Sequence, residues 1–230
     1  MNRRLFLRMF ARPVPDQDTR PDRPFTGFKL ARAVLSADGA AAAFAGITLG
    51  ASEAYGAVAE ASCVWNARHM PPRRWCGCGF YCLHSLADAQ GLGCATENRS
   101  ALLLEVAAAG RYIRYERGLR YSTQRVRVIR ESRCGCGQPG TGLTDAGTGI
   151  VGWRHLTPVC DRCATATPPV LSMAQFAARL DGPVRVISQP AAAGAPAQAS
   201  ASAESPIAVL NAEIALLHAR LDDLQARLEG

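Results

Sequence analysis

Four potential metal ligands lie close together in the first third of the chain. Cys63, His69, Cys76 and Cys78 place three thiols and one imidazole within sixteen residues. Three thiolates and an imidazole are a ligand set that tetrahedral zinc takes at structural sites, and the glycines that flank Cys78 allow the tight turn needed to bring two sulfurs onto one ion. The spacing therefore predicts a zinc site, called here the first cluster. Cys82 and Cys94 stay open as replacements for His69.

A second group of four cysteines follows at Cys134, Cys136, Cys160 and Cys163. It consists of a Cys-x-Cys pair and a Cys-x-x-Cys pair, and the segment between the pairs is rich in glycine and threonine with one β-like run. Two close pairs joined by a hairpin are the pattern of a zinc ribbon, whereas cysteines scattered through a core would show no pairing. These four cysteines are called the second cluster. With both clusters, the expected cofactor is zinc, at one or two ions per chain.

Disulfides and buried free thiols are the competing uses of nine cysteines. Disulfides belong mostly to secreted proteins, and the apolar run near the N-terminus is interrupted by Arg8, which is too early for a secretory signal. The alanine-rich segment 40–61 contains Glu53 and Glu60 and is too polar for a membrane span. A cytoplasmic, reducing location without membrane contact is therefore expected.

The two clusters favour a structural role over a catalytic one. Each has four protein ligands, whereas a catalytic zinc keeps one position open and has an acid or base nearby. A deaminase would also need a His-x-Glu that this sequence lacks. The chain is therefore predicted to be non-enzymatic, with a redox-sensitive zinc switch as an alternative, because Cys-x-Cys followed by Cys-x-x-Cys is similar to the switch of redox-regulated chaperones.

Positive charge is concentrated between residues 111 and 133. The chain has a formal net charge of +7, and this segment holds eight arginines against Glu116 and Glu131. Arginines interleaved with tyrosines suit phosphate contacts and base stacking. The segment therefore predicts nucleic-acid contact through seven arginines: Arg111, Arg114, Arg117, Arg120, Arg125, Arg127 and Arg130. The alternatives are a solvated sheet face and an adaptor that binds another protein.

The last segment has a helical pattern. Isoleucines and leucines repeat at alternating steps of three and four residues, which predicts a coiled coil that forms a parallel dimer and also allows a trimer. They are Ile207, Leu210, Ile214, Leu217, Leu221, Leu224 and Leu228. Together with the ribbon and β-rich segments this predicts an α+β protein, made of small β-rich zinc-stabilised modules and a C-terminal coiled-coil helix.

Composition suggests five segments along the chain. They are a disordered basic arm (1–24), a β-rich module with the first cluster (25–133), a ribbon-like module with a helix and a strand (134–187), a flexible linker (188–206) and the coiled coil (207–230). Locally, Asp38-Gly39 predicts a hairpin, Ser85 and Ser172 predict helix N-caps, and Gly110 and Gly118 are expected at turns between strands.

Residues 25–133 contain six short motifs: Gly27-Phe28-Lys29, Cys63, His69-Met70-Pro71, Cys76-Gly77-Cys78-Gly79-Phe80-Tyr81, Gly110-Arg111 and Tyr115-Glu116-Arg117-Gly118-Leu119-Arg120. With these motifs the segment resembles a group of uncharacterised proteins of actinobacteria and their phages. The chain departs from the pattern at Ala109, where the group usually has Trp, and at Tyr121, where it usually has Ala. The resemblance covers about half of the chain and implies no particular activity.

Overall fold

The structure, a computed structural model, describes residues 23–47, 53–63, 68–167 and 169–187. This part is built mainly from antiparallel β-strands. The strands are β1 (Phe25–Ser36), β2 (Ala42–Ala45), β3 (Ala54–Tyr55), β4 (Val58–Glu60), β5 (Phe80–Leu83), β6 (Leu102–Arg114), β7 (Gly118–Glu131), β8 (Gly142–Ile150), β9 (Trp153–Val159), β10 (Leu171–Ser172) and β11 (Arg185–Val186). The helices are α1 (Leu86–Gly93), α2 (Asp161–Ala164) and α3 (Met173–Ala178), with a 3-10 turn at Thr96–Asn98.

The α+β prediction is wrong. The three α-helices of the described ranges have eight, four and six residues, so none forms a layer of its own against the sheet. The predicted coiled coil, the linker and most of the basic arm lie outside the described residues. No helix in the described part is long and apolar enough to cross a membrane.

Strand β1 is long enough to pair with different strands along its two halves. Its first half pairs antiparallel with β6 from Phe25 to Ala31, and its second half pairs with β2 and with β9. The β8–β9 hairpin of the predicted ribbon is therefore hydrogen-bonded into the same sheet as the first cluster's strands. The hairpin predicted at Asp38-Gly39 is confirmed by the pairing of Leu35 with Ala42.

Four strands form a closed circuit of pairings. β1 pairs with β6, β6 with β7, β7 with β5, and β5 returns to β1 through Phe28 and Leu83. Side chains alternate between the two faces of each strand, so one face of all four points into a shared interior. That interior is filled by large buried residues, among them Leu104, Leu119 and Tyr121. A closed circuit fixes the position of each strand through both of its neighbours.

Gly110 lies at a β-bulge, and the turn predicted there is wrong. β6 runs through it without a break, and its pairing with β7 shifts register between Ala109 and Tyr112. Gly110 has a φ of 74°, and a Cβ on it would stand 2.2 Å from the Ser122 hydroxyl. A bulge needs the same positive φ as many turns, so sequence alone did not separate the two.

Two predicted helix caps are confirmed. The Ser85 hydroxyl accepts a hydrogen bond from the backbone N–H of Asp88 at the start of α1. Ser172 forms a capping box at α3, where its hydroxyl accepts from the Gln175 backbone N–H and the Gln175 side chain accepts from the Ser172 N–H. These bonds satisfy backbone donors that the helices leave free at their first turns.

The single lysine of the chain places its amine inside the sheet. Lys29 Nζ donates a hydrogen bond to Gln124 Oε1 at 3.1 Å and stands over the rings of Tyr55 and Phe80, 4.7 and 4.9 Å from their centroids. Burial lowers the pKa of Lys29 to about 8. The folded chain therefore disfavours the charged amine, because burial removes it from water.

This environment predicts a pH-dependent stability. An unfolded lysine has a pKa of about 10.4, so between about pH 8 and 10.4 the unfolded chain binds more protons, and the free energy of unfolding rises with pH. We expect a rise on the order of 2 kcal/mol between pH 8 and 9.5 that is absent in Lys29→Met, since one pKa unit corresponds to about 1.4 kcal/mol. Urea unfolding of the unchanged protein and of Lys29→Met at pH 8 and pH 9.5 measures the rise in the free energy of unfolding. An equal rise in the two proteins would contradict the prediction.

Candidate metal centres

The four residues of the first cluster come together in the structure. Cys63 Sγ and Cys76 Sγ are 3.7 Å apart, and His69 Nε2 and Cys78 Sγ are 3.3 Å apart. The four ligand atoms all lie within 4.8 Å of one another. Cys63 and Cys78 are buried, while His69 and Cys76 are partly exposed. This group can hold a metal ion.

The sheet positions the first cluster from both sides. Cys63 follows β4, which pairs with β7, and Ala61 extends that contact by donating its backbone N–H to the Ser122 carbonyl at 2.7 Å. Cys78 stands two residues before β5, which also pairs with β7. Gly79, between Cys78 and β5, has a φ of 111°, and a Cβ there would press on the Tyr121 carbonyl at 3.1 Å. Both ends of the ligand-bearing segment are thus attached to one strand.

Arg120 braces the loop that carries Cys76. Its side chain is buried, with 4% of the residue exposed, and its guanidinium donates hydrogen bonds to the carbonyls of Cys76 and Arg73. The same group lies 5.9 Å from the ring centroids of Tyr81 and Tyr115. A planar guanidinium can donate to two carbonyls and stack on aromatic rings at the same time. Arg120 therefore orients the loop around the first cluster.

The second cluster is assembled from two turns at the ends of β7 and β9. Cys134 and Cys136 lie in a turn closed by hydrogen bonds between Cys134 and Gln138 and between Gly137 and Cys134, both of 2.8 Å. Cys160 is the N-cap residue of α2, and Cys163 lies within that helix. Cys136 Sγ and Cys160 Sγ are 3.6 Å apart, and all four sulfurs lie within 4.8 Å of one another. This group can also hold a metal ion.

The sulfur distances suit a shared metal ion. Two thiolates bound tetrahedrally at about 2.3 Å from zinc lie about 3.8 Å apart, close to the 3.7 and 3.6 Å found here. A disulfide would bring the sulfurs to about 2.05 Å, and none of the nine cysteines forms one. The geometry therefore fits ion binding and not disulfide bonding.

No protein family model, curated protein or solved structure matches the chain. The resemblance of residues 25–133 to actinobacterial and phage proteins stays a prediction. The function of the chain is therefore inferred from the geometry of its described residues.

The other cysteines and histidines of the described part lie outside both clusters. Cys82 is a core residue with 1% exposed, and burial raises the pKa of its thiol to about 12. Cys94 is exposed at the end of α1. His84 Nε2 lies 3.2 Å from the Tyr115 carbonyl and His155 Nδ1 lies 3.3 Å from the Thr148 hydroxyl. His69 therefore fills the position for which Cys82 and Cys94 were alternatives.

The seven predicted nucleic-acid arginines do not form one set. Arg120 is buried, Arg117 forms an ion pair with Asp88, and Arg130 pairs with Glu105 at 2.7 Å while standing over the ring of Phe28. The others are partly or fully exposed: Arg111, Arg114, Arg125 and Arg127. Three of the seven arginines therefore contact other residues of the fold through their guanidinium groups.

The bracing role of Arg120 was missed by the sequence interpretation. The prediction from the charge pattern of 111–133 gave every arginine the same role, that of a phosphate contact. The register of β7 instead directs Arg120 toward the first cluster and Arg125 toward solvent. The sequence around Arg120 gave no local signal, because Arg120 stands in a strand-like segment just as the exposed Arg125 and Arg127 do.

Proposed function

We propose that this protein is a non-enzymatic zinc-binding protein with one structural zinc ion in each cluster. The observation that carries the proposal is the convergence of two complete four-ligand sets, each within 4.8 Å. Thiolate-rich sets of this kind favour zinc over the harder cations, which prefer oxygen ligands. When bound, each ion would link separate segments of the chain.

A structural role follows from the ligand count. The first cluster offers three sulfurs and one nitrogen and the second offers four sulfurs, so a tetrahedral ion has no position left for water or substrate. The first cluster would fasten the segment between β4 and β5 to β7, and the second would fasten the end of β7 to the end of β9. Zinc at such sites contributes directly to the free energy of folding.

Metal content tests the proposal. Protein purified under reducing conditions without added chelator is expected to contain two zinc ions per chain by elemental analysis. Cys136→Ser should lower the content to one and Cys63→Ser should lose at least the zinc of the first cluster, because each removes one ligand from a different cluster. Cys94→Ser is the matched control, since this exposed thiol lies outside both clusters, and it should keep two. Metal-free, reduced protein with an unchanged melting curve would overturn the proposal.

Nucleic-acid contact is a second candidate, favoured by the placement of two arginines. Arg125 and Arg127 alternate with buried Val126 on β7, so their exposed side chains share one face of the sheet. Arg114 is exposed at the far end of β6. Contacts of such groups with phosphates would be electrostatic, and affinity would fall steeply as salt concentration rises. A salt titration of oligonucleotide binding by Arg125→Gln/Arg127→Gln tests this candidate, with the unchanged protein as its control.

A further inference from the structure

The loop between His69 and Cys76 presents large apolar side chains to solvent. Trp75 is 94% exposed and Met70 is 66% exposed. Tryptophan normally buries most of its surface, so an indole left this exposed is available to a partner. Both side chains stand next to ligands of the first cluster, so their position depends on the metal centre.

The loop between His69 and Cys76 is held by contacts within the protein. His69 and Cys76 hold its two ends at the first cluster. In its middle, the Arg73 carbonyl accepts hydrogen bonds from the Cys76 backbone N–H and from Arg120 Nη2, both at 3.0 Å. A side chain displayed by a braced loop loses little conformational entropy when it binds, which increases affinity.

The charge around Trp75 is positive. Arg73 and Arg74 precede it directly and are exposed. A third guanidinium, that of Arg120, faces this loop from β7 and donates to the Arg73 carbonyl. The loop therefore carries two exposed guanidinium groups beside one exposed indole.

We propose that this surface binds single-stranded nucleic acid, with Trp75 stacking on a base and Arg73 and Arg74 contacting phosphates. The proposal rests on the first cluster holding its metal, as the proposed function states. An indole beside guanidinium groups matches the two components of single-strand recognition, a stacking platform and a positively charged track. Duplex bases are stacked on each other and are not accessible to the indole, so a duplex should bind more weakly.

Fluorescence anisotropy with a labelled oligodeoxythymidylate of roughly 12 nucleotides tests the proposal, since single-strand sites span about 4–16 nucleotides. Trp75→Ala should weaken binding roughly five- to 150-fold, because base stacking on an aromatic ring is worth about 1–3 kcal/mol. Trp75→Phe should restore most of the affinity. Val151→Ala is the matched control, because Val151 is another fully exposed apolar residue and lies in the β8–β9 turn.

Salt dependence identifies the phosphate contacts. The double variant Arg73→Gln/Arg74→Gln should lower the salt slope by about 1.4, at about 0.7 per contacted phosphate of a single strand. Arg125→Gln/Arg127→Gln tests the β7 face in the same way. Loss of binding in the β7 variant with none in the Trp75 and loop variants would overturn the loop proposal and place the contact on β7.

Zinc content measured on the same samples separates this proposal from the metal proposal. Protein with two zinc ions that fails to bind the oligonucleotide at physiological salt would overturn the nucleic-acid assignment and leave the metal centres intact. A protein partner would then be the occupant of the Trp75 surface. Protein without zinc in the first cluster would overturn the metal proposal on which this one rests.

Discussion

Cys78→Ser is expected to unfold the protein at room temperature. Cys78 stands two residues before β5, the strand that closes the circuit between β1 and β7. Structural zinc contributes about 10–16 kcal/mol in small zinc-finger peptides, and a domain has only about 5–15 kcal/mol of net stability. Losing the first zinc therefore removes a large part of the stability of the whole circuit.

Cys160→Ser is expected to have a smaller and more local effect. Cys160 follows β9, and β9 keeps its pairing with both β1 and β8 whether or not the second cluster holds metal. We expect the turn at 133–139 and helix α2 to lose order while the sheet remains. Circular dichroism melting of Cys78→Ser, Cys160→Ser and the control Cys94→Ser ranks the three effects. A larger loss in Cys160→Ser than in Cys78→Ser would show that this ordering is wrong.

Arg120→Leu is expected to destabilise the protein by roughly 1–3 kcal/mol and to loosen the first metal centre. The substitution leaves the carbonyls of Cys76 and Arg73 without their side-chain donor, and a buried polar group that loses its partner costs about 1–3 kcal/mol. Groups that orient metal ligands typically change metal affinity 10- to 100-fold when they are removed. We expect the same range for the first cluster, because Arg120 bonds the backbone of one of its ligands.

Competition with a chelator measures this effect on each centre. The second cluster has no contact with Arg120 among its described neighbours, so its zinc affinity should stay that of the unchanged protein. Arg120→Lys is the informative variant, because it keeps the charge but cannot reach two carbonyls with a planar fork. The zinc affinity of its first cluster should lie between those of the unchanged protein and Arg120→Leu. Equal losses at both clusters would mean that Arg120 acts through general stability and not through the loop.

The sequence predicted the two clusters because ligand spacing is a local property. The close pairs Cys134–Cys136 and Cys160–Cys163, and the ligands between 63 and 78, are visible without knowledge of the fold. The helix caps at Ser85 and Ser172 were predictable for the same reason, since the cap and its partner are three residues apart. Short-range chemistry of this kind depends on neighbouring residues, so one sequence is enough to recognise it.

Features that depend on long-range pairing were not predictable. The α+β prediction gave weight to a C-terminal helical repeat that lies outside the described residues, and it missed how completely β-strands account for the rest. The burial of Arg120 and the exposure of Arg125 follow from the register between β5, β7 and their neighbours. A shift by one residue exchanges the two faces of a strand, and bulges such as that at Gly110 produce such shifts inside β6.

Strand β1 pairs with β6 and with β9, which are synthesised long after it. β1 is the first described strand to leave the ribosome, yet Ala31 pairs with Leu102, and Ala33 pairs with Leu156, which is synthesised much later still. At a translation rate of about 5–20 residues per second, β1 waits on the order of ten seconds for its last partner. During that interval its apolar residues and unpaired backbone are open to other chains. We therefore expect slower translation to increase aggregation of the nascent chain and early chaperone binding to reduce it.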